Sequence, residues 1–381
     1  MAMTSRERLT RIFRGQIPDR PAVKLWGFVK GQSMLHPDYE PVYQLGLELA
    51  DHIGSANSPF DIYGGIYGGD LWRRWEEPSE SDKWVIVRTE LKTSQGVLTC
   101  ARKDSTVGLP SYDIEPLLKQ PKDIKILLSA PYEPFPFTTK PFEAAEASIG
   151  ERGIVDYGLP HAMYALQGAA GSINFALWSM ECRNLLSEAI EVYAKRLYDH
   201  VKCALEAGLK PVFAWIGPEL CIPPLMGIKD FDDFVYAFDK PLCDLIHNGG
   251  GRVWVHCHGK MGPVLSRFME MGVDVLNPME PPPMGDITLS DAFAQVGNRM
   301  GLEGGIESHD LMTASDERMT HLIHEAIDAG QGNRFILCPS SGYMEWPNPT
   351  ARYIANLKTF VAEGVRYAEQ GRVVPTSKRS L

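Results

Sequence analysis

A repeated rhythm constrains this chain more than any other feature: short apolar runs, each followed by a longer polar or amphipathic segment, recur along its length. The runs lie at Ala22–Gly27, Ser58–Tyr63, Gly153–Tyr157, Pro211–Ile216, Arg252–Cys257, Val273–Asn277, Met300–Gly304 and Arg334–Cys338. Helical patterns at Cys182–Ala207, Ile228–Asn248, Met261–Met271, Ser315–Ala329 and Pro349–Gln370 fall between or after them. Parallel strands need long crossover connections, and a helix is the usual one. The count of strand candidates therefore predicts an α/β fold closed as a (β/α)8 TIM barrel, with an open doubly wound sheet as the competing arrangement. Thr4-Ser5-Arg6-Glu7 offers a capping box for a first helix that reaches Phe13. Trp84–Glu90 and Gly96–Ala101 alternate around Ser94-Gln95-Gly96, which predicts a β-hairpin inserted after the second strand. Pro131, Pro134, Pro136 and Pro141 then mark an extended connection. The expected organisation is a single barrel domain over 1–371 and a polar tail over 372–381.

Composition narrows the function classes. Among 381 residues, 44% are hydrophobic and 23% charged, enough apolar material for a large core. Lys and Arg number 38 against 48 Asp and Glu, for a net charge of −10. Phosphate binding needs clustered cations, so a nucleic-acid or anionic-membrane partner is not expected. No apolar run approaches the roughly 20 residues that span a bilayer. The first residues form a charged helical pattern rather than a signal-peptide core, and a cytoplasmic location is expected. Seven cysteines without a C-x-x-C pair are expected to be free thiols.

In such barrels the chemistry sits where the strands end at their C-terminal face. The polar residues there are Asp61, Asp156 with His161, Glu219, His256 with His258, Glu280, Glu303 with Glu307, and Cys338 with Ser340 and Ser341. The sharpest signal is Val253-Trp254-Val255-His256-Cys257-His258. Alternate residues of a strand share a side at about 6.5–7 Å, so His256 and His258 can converge on one ion. Zinc takes imidazole, thiolate and carboxylate, which makes Glu219 or Cys338 the expected further ligand. In the competing reading one imidazole binds substrate and the other satisfies a backbone carbonyl. Consecutive prolines at 281–283 stiffen the loop that holds Glu280 near the mouth. Between Ser58 and Trp72, glycine pairs alternate with Tyr63, Tyr67 and Trp72, which suits a wall over a planar substrate.

Taken together, Ser5-Arg6-Glu7-Arg8-Leu9, Pro18-Asp19-Arg20-Pro21, His256–Gly259 and the closing block Phe335–Gly342 with Pro347 and Asn348 resemble the uroporphyrinogen decarboxylase superfamily. The resemblance covers essentially the whole chain and implies a (β/α)8 barrel. Its decarboxylase branch binds tetrapyrrole carboxylates with an arginine-bearing segment after the first strand. Here that segment reads Leu25-Trp26-Gly27-Phe28-Val29-Lys30-Gly31, without arginine. Its other branch comprises zinc methyltransferases that work with a corrinoid protein and carry an H-x-C … C ligand set. His256 matches that histidine, whereas His258 and Ser341 stand where the family has cysteines. An imidazole in place of a thiolate makes a bound ion a stronger Lewis acid.

The resemblance thus implies a methyltransferase that removes a methyl group from a small donor, with an aryl methyl ether as the leading case. The expected cofactors are Zn2+, held by His256, His258, Glu219 and Cys338, and a corrinoid carried by a partner protein. Tyr63, Tyr67, Trp72, Tyr157 and His161 are expected to bind the donor, and Glu280 or Asp156 to supply a proton. The alternatives are a lyase acting on a carboxylated ring, which would need cations such as Arg73, Arg74 or Lys260 at the mouth, and a non-catalytic ligand-binding barrel.

Overall fold

The computed structural model describes residues 2–28, 31, 36–58, 60, 62–63, 71–134, 136–342 and 348–371. Eight parallel strands make one sheet: β1 (Ala22–Val23), β2 (His52–Asn57), β7 (Gly153–Leu159), β8 (Val212–Ile216), β9 (Arg252–His256), β10 (Val275–Met279), β11 (Gly301–Ile306) and β12 (Phe335–Pro339). Their order is β1-β12-β11-β10-β9-β8-β7-β2, which brings the first two strands to the two ends. Asp51 joins those ends. Its backbone N–H donates to the Val23 carbonyl at 2.7 Å, and its carboxylate accepts from the Val23 N–H at 2.9 Å. The barrel therefore closes through one residue that supplies both halves of a ladder rung.

The first helix, Ser5–Phe13, forms where the capping box places it: the Thr4 hydroxyl accepts from the Glu7 N–H, and the Glu7 carboxylate accepts from the Thr4 N–H. Leu9, Ile12 and Phe13 from this helix pack against Ala22, Ile53, Ile154, Val212, Trp254, Val275 and Ile336, which fill the barrel interior from the strands. The N-terminal end is thus plugged by apolar side chains, and the polar groups collect at the other end. A larger apolar layer lies between the sheet and the surrounding helices, including Arg183–Glu206, Ala237–Asn248, Asp316–Gly330 and Ala351–Gln370. Among the described residues, no helix is long and apolar enough to cross a membrane.

Two expectations need correction. The second strand is His52–Asn57, not Ser58–Tyr63. Gly54, Ser55 and Asn57 make this strand read as polar, yet its backbone pairs in register with Gly153–Gly158, and Ser55 and Asn57 face a cavity. Its polarity reflects what it lines. The insertion is also larger than a hairpin: β3 (Trp72–Pro78), β4 (Trp84–Thr93), β5 (Gly96–Ser105) and β6 (Tyr112–Glu115) form an antiparallel sheet in that order. The expected pair is its centre, with Thr93 opposite Gly96 at the turn. The expected tail, 372–381, lies outside the described residues.

Candidate functional site

Parallel pairing of β9 with β10 sets Asn277 opposite His256, and both side chains are buried. His256 Nδ1 lies 2.6 Å from the Asn277 amide oxygen. Two residues on, His258 Nδ1 lies 2.9 Å from Glu280 Oε1. The two imidazoles are perpendicular, with ring centroids 4.6 Å apart. In each ring an oxygen acceptor fixes the proton on Nδ1, which leaves Nε2 as the lone-pair donor; metal-binding histidines are commonly held this way.

Their electrostatics differ. Burial lowers the His256 pKa to about 4, with the nearby His258 charge adding to the effect. Burial also acts to lower His258, but the hydrogen bond and charge of Glu280, helped by Glu219 and Glu307, leave its pKa raised. Glu219 sits on the 3-10 turn Pro218–Cys221 after β8. Burial raises its pKa, opposed by the His258 and His161 rings and by the backbone N–H of His258. Glu307 follows β11, is only 7% exposed, and accepts from the Ser340 hydroxyl at 3.3 Å through one oxygen. Its other oxygen, Oε1, is buried without a hydrogen bond among the described residues. Burial and the Glu280 charge push the Glu307 carboxyl up to about 7.

A cavity of about 940 Å³ opens within the barrel mouth, and neither imidazole of the pair is among the described residues that line it. Trp26 and Trp254 line the cavity and neighbour the His256 ring at centroid distances of 5.4 and 5.9 Å. Aromatic walls come from Phe60, Tyr63, Tyr164 and Trp215. Lys24 and Asp156 form polar points of the lining. Lys24 Nζ lies 2.6 Å from Glu303 Oε1, and the Trp254 indole N–H donates to Glu303 Oε2 at 2.9 Å. Burial raises the Asp156 pKa to about 6, against the opposing effects of the Ser55 hydroxyl and Lys24.

The structure distributes the sequence-derived candidates unevenly. Tyr63 lines the cavity, with its hydroxyl donating to the Ala165 carbonyl at 2.7 Å. His161 also lines it, while capping the helix Ala162–Ala170 and pairing with Asp239 at 2.9 Å. Tyr157 does not wall the cavity. Strand alternation turns Asp156 inward and Tyr157 outward, where its hydroxyl meets Ser58 and His200. Trp72 opens β3 of the inserted sheet and is not part of the cavity lining. Tyr67 and Asp61 lie outside the described residues.

Cys338 does not join the imidazoles. Its thiol is fully buried, the groups acting on it are Lys24 and Glu303, and burial raises its pKa far above the ordinary thiol value. Among the described residues, no group of three or more His, Cys, Asp and Glu side chains is arranged as a metal-binding set. Imidazole and carboxylate are donor types that zinc takes, and among the described residues Oε1 of Glu307 is buried without a hydrogen bond. Trp26, Trp254, Lys24 and Asn277 carry no motif in the sequence. The strand alternation that aligns His256 with Trp254 was the available signal for one of them.

The family model described as Uroporphyrinogen decarboxylase matches residues 160–362, more than half of the chain. That span contains β8 through β12 and both imidazoles. No curated protein matches the chain in sequence. Among solved structures, a methyltransferase from Methanosarcina mazei is similar at 13% identity and a TM-score of 0.59, covering 96% of this chain and 99% of that one. A muconate lactonizing enzyme from Pseudomonas putida is 14% identical over 69% of this chain and 77% of its own, with a TM-score of 0.22.

Proposed function

Because the chain belongs to the uroporphyrinogen decarboxylase family, with a barrel similar to that of a methyltransferase, we propose that it is a methyltransferase that demethylates a small donor such as an aryl methyl ether. The observation that carries this reading is the pair of imidazoles, each held through Nδ1, with the His256 ring against Trp26 and Trp254, two walls of an aromatic cavity. His256 and His258 would hold zinc, with Glu219 or Glu307 completing the set. Bound there, zinc supplies Lewis acidity toward a leaving oxygen, and the methyl acceptor is a corrinoid carried by a separate protein.

The chain's own residues do the rest. Trp26, Phe60, Tyr63 and Trp254 offer flat faces that orient a ring and exclude water. Glu280 fixes the His258 ring rather than serving as a free proton source, because its Oε1 is committed to Nδ1. Asp156, with its raised pKa, stands in the cavity wall as a carboxylate that takes up a proton more readily than a solvated aspartate. Among the described residues that line the cavity, Lys24 is the one cation, and Glu303 already neutralises it. That disfavours a lyase acting on a multiply carboxylated ring. Elemental analysis of the purified protein tests the proposal. Stoichiometric metal that disappears in a His256→Ala/His258→Ala variant supports it, and full metal retention in that variant refutes it.

A further inference from the structure

We propose that Lys24 and Asp156 read a hydroxyl on the substrate ring, so that the donors are neutral hydroxylated aryl methyl ethers. This inference rests on the methyltransferase reading and deepens it. Among the described residues, several polar groups of the cavity lining are already engaged. The Ser58 hydroxyl meets His200 Nε2 at 2.6 Å and accepts from the Tyr157 hydroxyl and the Phe60 N–H. His161 is used at both ring nitrogens, by Asp239 and by the Tyr164 N–H. Ser55 is hydrogen-bonded to Asp156.

Lys24 and Asp156 retain unused capacity. An ammonium has three N–H donors, and Lys24 places one on Glu303. The ammonium also lies 4.4 Å from the Trp26 ring centre and 5.4 Å from that of Trp254, inside the aromatic wall. A carboxylate has about four acceptor positions, more than the single Ser55 hydroxyl fills. Both line the same cavity, Lys24 directly after β1 and Asp156 on β7, and each acts electrostatically on the other.

Charge then selects the ligand. Glu303 cancels Lys24, and an ionised Asp156 leaves this part of the cavity net negative. A carboxylate on the ring is repelled. A hydroxyl is not, because it donates to Asp156 and accepts from Lys24 at once. A ring without a polar substituent leaves both groups unmet, which is how hydrogen-bonding pockets reject such analogues.

The test is calorimetric binding of three probes to the full chain: 2-methoxyphenol, methoxybenzene and 2-methoxybenzoate. We expect 2-methoxyphenol to bind roughly 10- to 100-fold more tightly than either of the others. In Asp156→Ala, and in Lys24→Met/Glu303→Gln, the preference for 2-methoxyphenol over methoxybenzene should fall to a factor of about three or less. The paired substitution removes both charges together and so guards against a folding defect. Equal binding of 2-methoxyphenol and methoxybenzene to the parent, binding of neither, or a preference that persists in both variants overturns the proposal. Methyl transfer to a reduced corrinoid protein is read separately. Selective binding without transfer supports the hydroxyl-reading pair and sinks the methyltransferase reading, whereas equal binding with transfer does the reverse.

Discussion

His258 is anchored at Nδ1 by Glu280, 2.9 Å away, and this contact opposes the effect that burial has on the ring. The stiff proline loop after β10 supplies the carboxylate, and β9 supplies the ring, so two neighbouring strand ends define one orientation. Replacing Glu280 with Gln removes the negative charge while nearly keeping the shape. The His258 pKa should then fall, and metal affinity should weaken about 10- to 100-fold, the usual effect of losing such a support. Ring titration by NMR and competition with a chelator check the two outcomes, and an unchanged affinity would show that Glu280 does not support a metal ligand.

Asp156 gives the fold a pH dependence of definite sign. Its folded pKa is about 6, above the ordinary 3.8, so the folded state favours the protonated carboxyl. The stabilising contribution is complete below about pH 3.8 and is lost as pH rises through 6. Asp156→Asn should therefore match the parent near pH 3.8 after correction for the other groups, and exceed it at pH 7.5 by about 1–3 kcal/mol. Urea unfolding at both pH values measures the difference. A variant less stable than the parent at pH 7.5 would rule out this account.

How much of this is legible in the sequence depends on which force fixes each element. The capped first helix, the two-residue turn at Thr93–Gly96 and the long amphipathic helices follow from local rules, and they stand at or near their expected boundaries. The second strand is hidden in the sequence because its side chains serve the cavity, and Ser55 and Asn57 override the apolar signal. The spacing of His256 and His258 pointed to two rings on one side, and their perpendicular contact is a matter of strand geometry. Which strand ends meet across the barrel is a long-range fact. Cys338 looks equivalent to Glu219 from its place after a strand, yet its thiol is hydrogen-bonded to Glu303, whereas Glu219 and Glu307 act on His258. Lys24 itself was silent in the sequence, since one lysine within an apolar run carries no motif.

The Lys24–Glu303 pair predicts a non-additive response. Both side chains are almost wholly inaccessible, and the ammonium-to-carboxylate distance is 2.6 Å. Removing one partner strands a buried charge, which typically costs about 3–5 kcal/mol, while replacing both with neutral groups is often close to neutral. Lys24→Met alone should destabilise strongly, and Lys24→Met/Glu303→Gln should recover most of the loss. A double-mutant cycle by denaturant unfolding decides it; additive losses would mean that the two charges are each satisfied independently.

Asp51 makes the strongest structural prediction, because one carboxylate closes the barrel and neutralises two cations. It is fully buried, with Arg8 at 2.6 Å, Arg20 at 3.0 Å and the Val23 N–H at 2.9 Å. Burial acts to raise its pKa, but the two guanidinium groups and the Val23 N–H outweigh it and leave the pKa below the ordinary 3.8. Its contribution is therefore present above about pH 3.8 and is lost as pH falls through the lower folded value. Asp51→Asn leaves Arg8 with Asp19, 2.8 Å away, and takes from Arg20 its only ion-pair partner among the described residues. The expected loss at neutral pH is about 3–5 kcal/mol, with a shallower decline of stability on acidification than in the parent. Unfolding curves from pH 3 to pH 7 test both parts. Equal steepness in the two proteins would place the acid-sensitive contact elsewhere, whereas a shallower curve would show that strand closure itself is what acid undoes.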